Sequence, residues 1–459
     1  MKIALMSPAG AMHRYDGSFS LALHYAPLTL TTLAALVPTE LEADITLYDE
    51  TIQFLPTEPD VDLIGMTAIT GTSRRVYRWA DYYRSLGIPV VLGGVHPTLM
   101  PDEAARHADA VVTGYAEDTW PQLLRDFAAG RMRPRYDMAP DFQLGGRPTA
   151  ERHRLPRHRY ITRNVVEATR GCLHDCSFCV VPAAWGRRLH TRPVAEVAAE
   201  VEALPGRDVI FIDLNLIANP AYAKALFREL APLNKRWYGL STSLVDRDPE
   251  LFRLLVESGC RGLLIGFEAV GAQSLAAINK GFNHSTDYAA LMAKLHDNGI
   301  AVNGTFVFGT DGDDRSVFER TVEMVHRLKI DLPRYAVMTP FPGSGLFRQL
   351  EAAGRIRERD WSLFDVEHCV IEPAHMSPSE LEAGLEWAWQ ASYTLADMHH
   401  RAPSPGDGLL RHWLTNMGYR RYARMLPRFT EAVMCDHSDV PEPLGGERAV
   451  PAREGFQHA

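Results

Sequence analysis

Short apolar runs alternate with amphipathic stretches over the first 135 residues. Lys2–Ser7, Ala43–Tyr48, Leu63–Thr67, Val90–Leu92 and Ala110–Val112 are rich in Val, Ile and Leu and read as buried strands. Val76–Ser85 and Asp118–Ala129 carry apolar residues at helical spacing. Such alternation predicts a doubly wound, Rossmann-like parallel sheet over residues 1–135. A second series begins at Asn164, with strands expected at Asn164–Ala168, Val209–Asp213, Trp237–Thr242, Gly262–Phe267, Val302–Phe308 and Arg334–Met338. Helical runs at Val194–Leu204, Ala221–Leu230, Pro249–Ser258, Tyr288–Asn298 and Ser316–Leu328 separate them. This pattern predicts a partial (β/α)6 barrel over residues 161–340, so the chain is α/β. Residues 136–160 read as a linker and 341–430 as a helical extension, amphipathic at Pro378–His399 and Leu409–Leu426. The Pro/Gly/Glu-rich stretch 431–459 reads as a disordered tail.

Composition adds bounds. Of 459 residues 46% are hydrophobic and 23% charged, which describes a soluble protein of several domains. The apolar start is too short for a signal peptide, and no apolar run approaches the ~20 residues of a membrane span. A cytoplasmic location, where thiols stay reduced, is expected. A net charge of −9 argues against broad nucleic-acid binding. Arg152, Arg154, Arg157 and Arg159, interleaved with His153 and His158, read as a solvated linker or as a docking patch for an acidic electron donor.

The chemistry concentrates in Arg170-Gly-Cys-Leu-His-Asp-Cys-Ser-Phe-Cys-Val180. Cys172, Cys176 and Cys179 sit close enough in sequence to converge on one inorganic centre. A [4Fe–4S] cube held by three thiolates keeps one iron open to a non-protein ligand. A zinc site lacks its second ligand pair here, and a disulfide knot suits a small secreted chain. Cys260, Cys369 and Cys435 are scattered and read as buried free thiols.

The Cys-x3-Cys-x2-Cys loop, with Phe178 before its third cysteine, resembles the signature of the radical S-adenosylmethionine (SAM) superfamily. The resemblance implies that SAM chelates the open iron and is cleaved to a 5′-deoxyadenosyl radical, which takes a hydrogen atom from substrate. It also implies an external electron donor, of flavodoxin or ferredoxin type or a dedicated reductase. Phe178 would lie near the adenine. Glu268, in Gly266-Phe-Glu268, would contact the ribose or amino group. Asp213 and Asn215 resemble the family's Asp-Asp/Asn element, Arg192 is placed for the methionyl carboxylate, and Gly304 would permit close approach of SAM. Asp311 and Asp313, with Glu268, are candidate catalytic acids or bases.

The first series carries a second resemblance. Pro27–Leu36, Asp49, Gly93-Gly94-x-His96-Pro97 and Gly114-Tyr-Ala-Glu117 are similar to the cobalamin-binding-type domain fused to many radical SAM proteins. Pro8, Asp49, Thr67, Gly93, Gly94, His96 and Gly114 would form its pocket, at the carboxyl ends of the strands. Two departures stand out. The Asp-x-His-x-x-Gly motif that supplies a lower histidine ligand is absent, and Tyr115 brings bulk where a glycine is common.

Two reactions follow from the resemblance. One is cobalamin-dependent methyl transfer to carbon; the other is cobalamin-independent dehydration of a sugar-like diol, as in a radical dehydratase group of aminoglycoside pathways. A small polar metabolite of natural-product biosynthesis is the expected substrate. A non-catalytic iron–sulfur carrier would want a fourth cysteine. A tRNA methylthiotransferase would carry further cysteines in residues 1–150, which contain none.

Overall fold

The computed structural model describes residues 1–9, 25–280, 287–402, 408–431 and 439–444. Of the positions singled out above, Cys435 and most of 431–459 lie outside them. The strands are β1 Lys2–Ser7, β2 Asp44–Asp49, β3 Leu63–Thr67, β4 Val90–Gly93, β5 Ala110–Thr113, β6 Arg135–Asp137, β7 Val165–Val166, β8 Thr169–Gly171, β9 Leu189–Thr191, β10 Asp208–Phe211, β11 Arg236–Ser241, β12 Cys260–Glu268, β13 Ala301–Phe308 and β14 Leu332–Val337.

Among the described residues, β1 to β6 form one parallel sheet in the order β2-β1-β3-β4-β5-β6. Ile3 to Met6 are fully buried, as a central strand covered on both faces requires. Leu5 belongs to the core cluster containing Trp120 and Leu123, and Met6 to the one containing Trp79 and Tyr83. A second parallel sheet runs β14-β13-β12-β11-β10-β7. Its odd and even positions face different ways. Val209, Phe211, Ile265, Phe306, Phe308 and Tyr335 are buried in the core cluster that includes helix residues such as Leu226, Leu255, Leu291 and Trp389. The intervening Ile210, Leu240, Leu264, Asn303, Thr305 and Arg334 are only partly buried and line the inner face of an open barrel.

Between the sheets, three of the arginines in the arginine-rich segment have partners in the protein, whereas His153, Arg157 and His158 are exposed. Arg152 is held by Glu200 and the Val165 carbonyl, Arg154 donates to the Ile45 carbonyl at 3.0 Å, and Arg159 to that of Ile52. Guanidinium groups here cap backbone acceptors on both sheets, which a solvated linker would leave to water. The segment 439–444, placed by composition in a disordered tail, packs on the helix Ser73–Ser85. Val440 is buried there, and Asp439 pairs with Arg75 at 2.6 Å.

One carboxylate helps latch the helical extension to the first domain. Glu103 accepts from His96 Nε2 at 3.2 Å and from Trp361 Nε1 at 3.1 Å. Burial opposes its charge, but these two donors hold the carboxyl down to about 2 from an ordinary 4.5. A depressed carboxyl stabilises the fold above pH ~4.5, and that contribution is lost as pH falls from there towards 2. Acid titration of the wild type should therefore cross its transition at higher pH-sensitivity than Glu103→Gln, whose latch cannot titrate. Matching acid-unfolding slopes for the two proteins would refute the latch. Among the described residues no helix is long and apolar enough to cross a membrane.

Candidate active site between the cysteine loop and the first sheet

The loop bearing the three cysteines leaves β8 at Gly171 and returns through β9, the two strands pairing antiparallel. Gly171 has φ 88°, and a side chain there would run into the Arg188 carbonyl, so the hairpin needs glycine. Asp213, wholly buried at the end of β10, anchors the hairpin's root. It accepts from the Ala168 N–H at 3.1 Å, the Thr169 N–H at 2.5 Å and the Thr169 hydroxyl at 2.8 Å. Burial, with the Glu167 charge nearby, pushes its carboxyl up to about 7 against those donors. From the other side, Ser177 N–H donates to the Ile278 carbonyl at 3.2 Å, and Asn279 Nδ2 to that of Asp175 at 2.7 Å.

Cys172, Cys176 and Cys179 are all free and half-buried. Burial pushes the Cys176 thiol up to about 11 and raises Cys179 as well. Such thiols stay protonated alone and ionise when a metal takes the sulfur. Among the described residues no three His, Cys, Asp or Glu side chains converge closely enough for a single metal ion. Three thiols carried on one clasped loop could serve three corners of an iron–sulfur cube, the group that the resemblance implies.

Facing the cysteines is a buried ion pair. Lys280 Nζ lies 2.5 Å from Glu268 Oε1, and both side chains are about nine-tenths buried. The Lys280 charge opposes the upward shift of Cys176 and Cys179, whereas that of Glu268 adds to it. Glu268 adopts φ 65°, rare for a side chain of its size, where β12 bulges against β13. Any side chain at Gly266 would take the space of both charged groups. Asn215, 3% exposed, keeps its Oδ1 without a partner. A carboxylate, an ammonium and an unsatisfied amide oxygen are complementary to a zwitterionic amino acid such as the methionyl end of SAM.

Phe178 stays within the cysteine loop, and most of the other expected residues have partners of their own. Arg192 is bound to Glu200 at 2.5 Å and to the Glu167 carbonyl at 3.0 Å. Gly304 faces outward, where a side chain would meet Ile330 and Phe267, because its strand parity is opposite to Asn303 and Thr305. Phe178 packs partly buried against the barrel core. Asp313 accepts from Gly309 and Thr310 N–H and from the Ser274 hydroxyl, closing its own loop. Asp311 pairs with Arg355 at 2.8 Å. Cys260 and Cys369 are buried thiols.

A cavity of about 320 Å³ opens between the carboxyl ends of the first sheet and the root of the cysteine loop. Thr67, Gly93, Gly94 and Gly114 line it, as does the helix Leu28–Ala35. Pro8, Asp49 and His96 do not. Asp49 accepts from the Tyr160 hydroxyl at 2.8 Å, and His96 is spent on the Glu103 latch. At Gly94, φ is 102° and a Cβ would come within 2.7 Å of the Ala68 carbonyl, so the backbone itself forms the wall. Tyr115 does not stand free in the space. Its ring stacks on Trp185 at 5.3 Å and lies beneath the Arg170 guanidinium at 5.0 Å. Arg170, just before Cys172, also joins Glu117 in the turn after β5 and Glu167 beside β7. The Tyr115 hydroxyl, Glu117 Oε2 and Trp185 Nε1 are buried on this wall without partners. Orphaned polar atoms around an apolar space fit a corrinoid, whose ring is edged by amide arms. Glu117, Arg170, Trp185 and Lys280 were not singled out from sequence; only the Gly-Tyr-Ala-Glu motif and the Arg before the first cysteine hinted at two of them.

Comparison with known proteins agrees with this geometry. Residues 166–325 match the Radical SAM superfamily, and residues 26–124 match the B12 binding domain. The chain is 31% identical over 419 residues to bacteriochlorophyllide d C-12(1)-methyltransferase of Chlorobaculum tepidum, covering 87% of this chain and 89% of that protein. It is 29% identical over 413 residues to the same organism's bacteriochlorophyllide d C-8(2)-methyltransferase, covering 85% and 90%. In fold it resembles the radical S-adenosylmethionine methyltransferase TsrM of Kitasatospora setae, with cobalamin and [4Fe–4S] cluster bound, at TM-score 0.65 and 20% identity, over 92% of this chain and 99% of that one. The protein belongs to the radical SAM superfamily, in the subclass with an N-terminal B12-binding domain. It is an enzyme whose cofactors are a [4Fe–4S] cluster, SAM and cobalamin, and it resembles the methyltransferases of that class.

Proposed function

We propose that this enzyme transfers a methyl group to an unactivated carbon of a large, mostly apolar ring substrate of the tetrapyrrole class. The observation that carries the reading is the run of partly buried apolar residues Ile210, Ile212, Leu240 and Leu264 at inward strand positions, on the sheet that also bears Glu268. The two bacteriochlorophyllide methyltransferases among its relatives support the same class. A small polar metabolite loses its support, since Asp311 and Asp313 are committed to Arg355 and to loop amides. The same commitment takes Asp311 and Asp313 out of the bases a dehydration would use, leaving only Glu268, which is paired with Lys280.

When bound, the cofactors supply hydrogen-atom abstraction and the methyl group, drawing electrons from an external donor of flavodoxin or ferredoxin type. The chain's own residues do the placing. Cys172, Cys176 and Cys179 hold the cluster, Asp213 and Gly171 fix their loop, and Glu268 with Lys280 and Asn215 orient the methionyl end of SAM. Thr67, Gly93, Gly94 and Gly114 let the corrin approach the backbone. Glu117 and Arg170 tie the corrinoid wall to the cluster loop. Substrate C–H is exchanged for C–CH3, the hydrogen leaving on 5′-deoxyadenosine.

Anaerobic incubation of holoenzyme with chlorophyllide a, SAM and a low-potential reductant should yield a product heavier by one CH2, with 5′-deoxyadenosine and S-adenosylhomocysteine. SAM cleavage without any methylated product would overturn the methyl-transfer reading.

A further inference from the structure

Polar groups enter the barrel lumen on one side. Strands β10 to β12 and the residue after β10 face it with Ile210, Ile212, Tyr238, Leu240 and Leu264, whereas β13 and β14 face it with Asn303, Thr305 and Arg334 among the apolar Val307, Leu332 and Ala336. The orientation of Arg334 follows from its neighbours. Tyr335 packs outward, its hydroxyl 2.5 Å from Ser392 Oγ and its ring edge-on to Trp389, so the preceding residue faces inward. Thr305 is its register partner on β13, and Gly266 is the partner of Thr305 on β12. One hydrogen-bonded row thus joins Arg334 to the glycine that makes room for Glu268 and Lys280. With strands about 4.8 Å apart, the backbones lie roughly 10 Å from one another.

Arg334 is partly buried, yet it makes no hydrogen bond or ion pair among the described residues. Other shielded arginines do: Arg75 with Glu50, Arg152 with Glu200, Arg170 with Glu117, and Arg192 with Glu200. Beside it, Asn303 Oδ1 is buried without a partner. A partly shielded guanidinium that no protein carboxylate meets is available to an arriving anion. Its planar fork matches a carboxylate through two parallel N–H donors.

We propose that Arg334, flanked by Asn303 and Thr305, is the subsite for a carboxylate carried on the apolar substrate. The subsite rests on the tetrapyrrole reading and deepens it. An acid arm held here would orient the ring body against the isoleucine and leucine wall, and so select which carbon is presented at the strand ends.

The test compares chlorophyllide a with its methyl ester, titrated by absorbance into anaerobic holoenzyme carrying SAM and cobalamin. Wild type should bind the acid roughly 10- to 100-fold tighter than the ester, as a charge-assisted hydrogen bond implies. Arg334→Met should erase that preference by weakening the acid alone, and Arg334→Lys should keep part of it. SAM affinity, measured separately, should be unchanged in both variants, which also shows that they fold. Equal affinities of wild type for acid and ester would overturn the subsite while leaving the tetrapyrrole reading in place. Weakened SAM binding in Arg334→Met would overturn it too, assigning the guanidinium to SAM. Binding of neither probe by wild type that still takes up SAM and corrinoid would overturn the tetrapyrrole reading, and the subsite with it.

Discussion

Replacing Cys176 with alanine is expected to bring bound iron down to background after anaerobic reconstitution and to abolish reductive SAM cleavage. Cys176 is the central thiol of a loop held on one side by the Asp213 anchor and on the other by Ile278 and Asn279. The backbone around it has little freedom to recruit a substitute. Cys260 and Cys369 are buried in the barrel and extension cores and cannot take its place. Iron analysis and the visible absorbance of the cluster check the first half of the expectation, and quantitation of 5′-deoxyadenosine the second. Full iron loading with undiminished cleavage in Cys176→Ala would remove the ligand assignment.

The second large effect is expected at the Glu268–Lys280 pair. Lys280→Met leaves a buried carboxylate without its partner, which costs about 3 to 5 kcal/mol of stability. The double variant Glu268→Gln, Lys280→Met removes both charges and should recover most of that loss. Chemical denaturation reads this cycle. A separate reading is SAM affinity by calorimetry, which should fall in the single and double variants alike, since the zwitterion then meets no complementary charge. Loss of stability with SAM affinity intact would make the pair a structural bridge and nothing more. Gly266 enters the same argument, because any side chain there must displace the pair.

The strand–helix alternation, the two sheets and the cysteine loop were legible before any coordinates. β1 and β3 begin and end where the apolar runs do, and β12 to β14 differ by only a residue or two at their ends. Side-chain direction was harder to read. Gly304 was singled out as a glycine near SAM, but strand parity turns it outward and gives the lumen to Asn303 and Thr305. Period-two alternation along β13 carries that information. His96 lay in a suggestive Gly-Gly-Val-His motif, yet its imidazole serves Glu103 and, through it, Trp361, 258 residues away. No local pattern announces a partner at that distance.

Local chemistry and periodicity were enough to specify the α/β architecture, the three thiols of one centre and the glycine-lined strand ends, because each is encoded within a few neighbouring residues. Only the tertiary structure decided which polar groups are already satisfied and which are left waiting. Asp311, Asp313, Arg192 and the linker arginines find partners inside the protein. Glu117, Asn215 and Asn303 keep unmatched atoms at the walls of the cavity and lumen, while Arg334 faces the lumen without a counter-charge. Hydrogen bonds and ion pairs between residues far apart in sequence depend on where the chain returns in space, and that is a property of the packed whole.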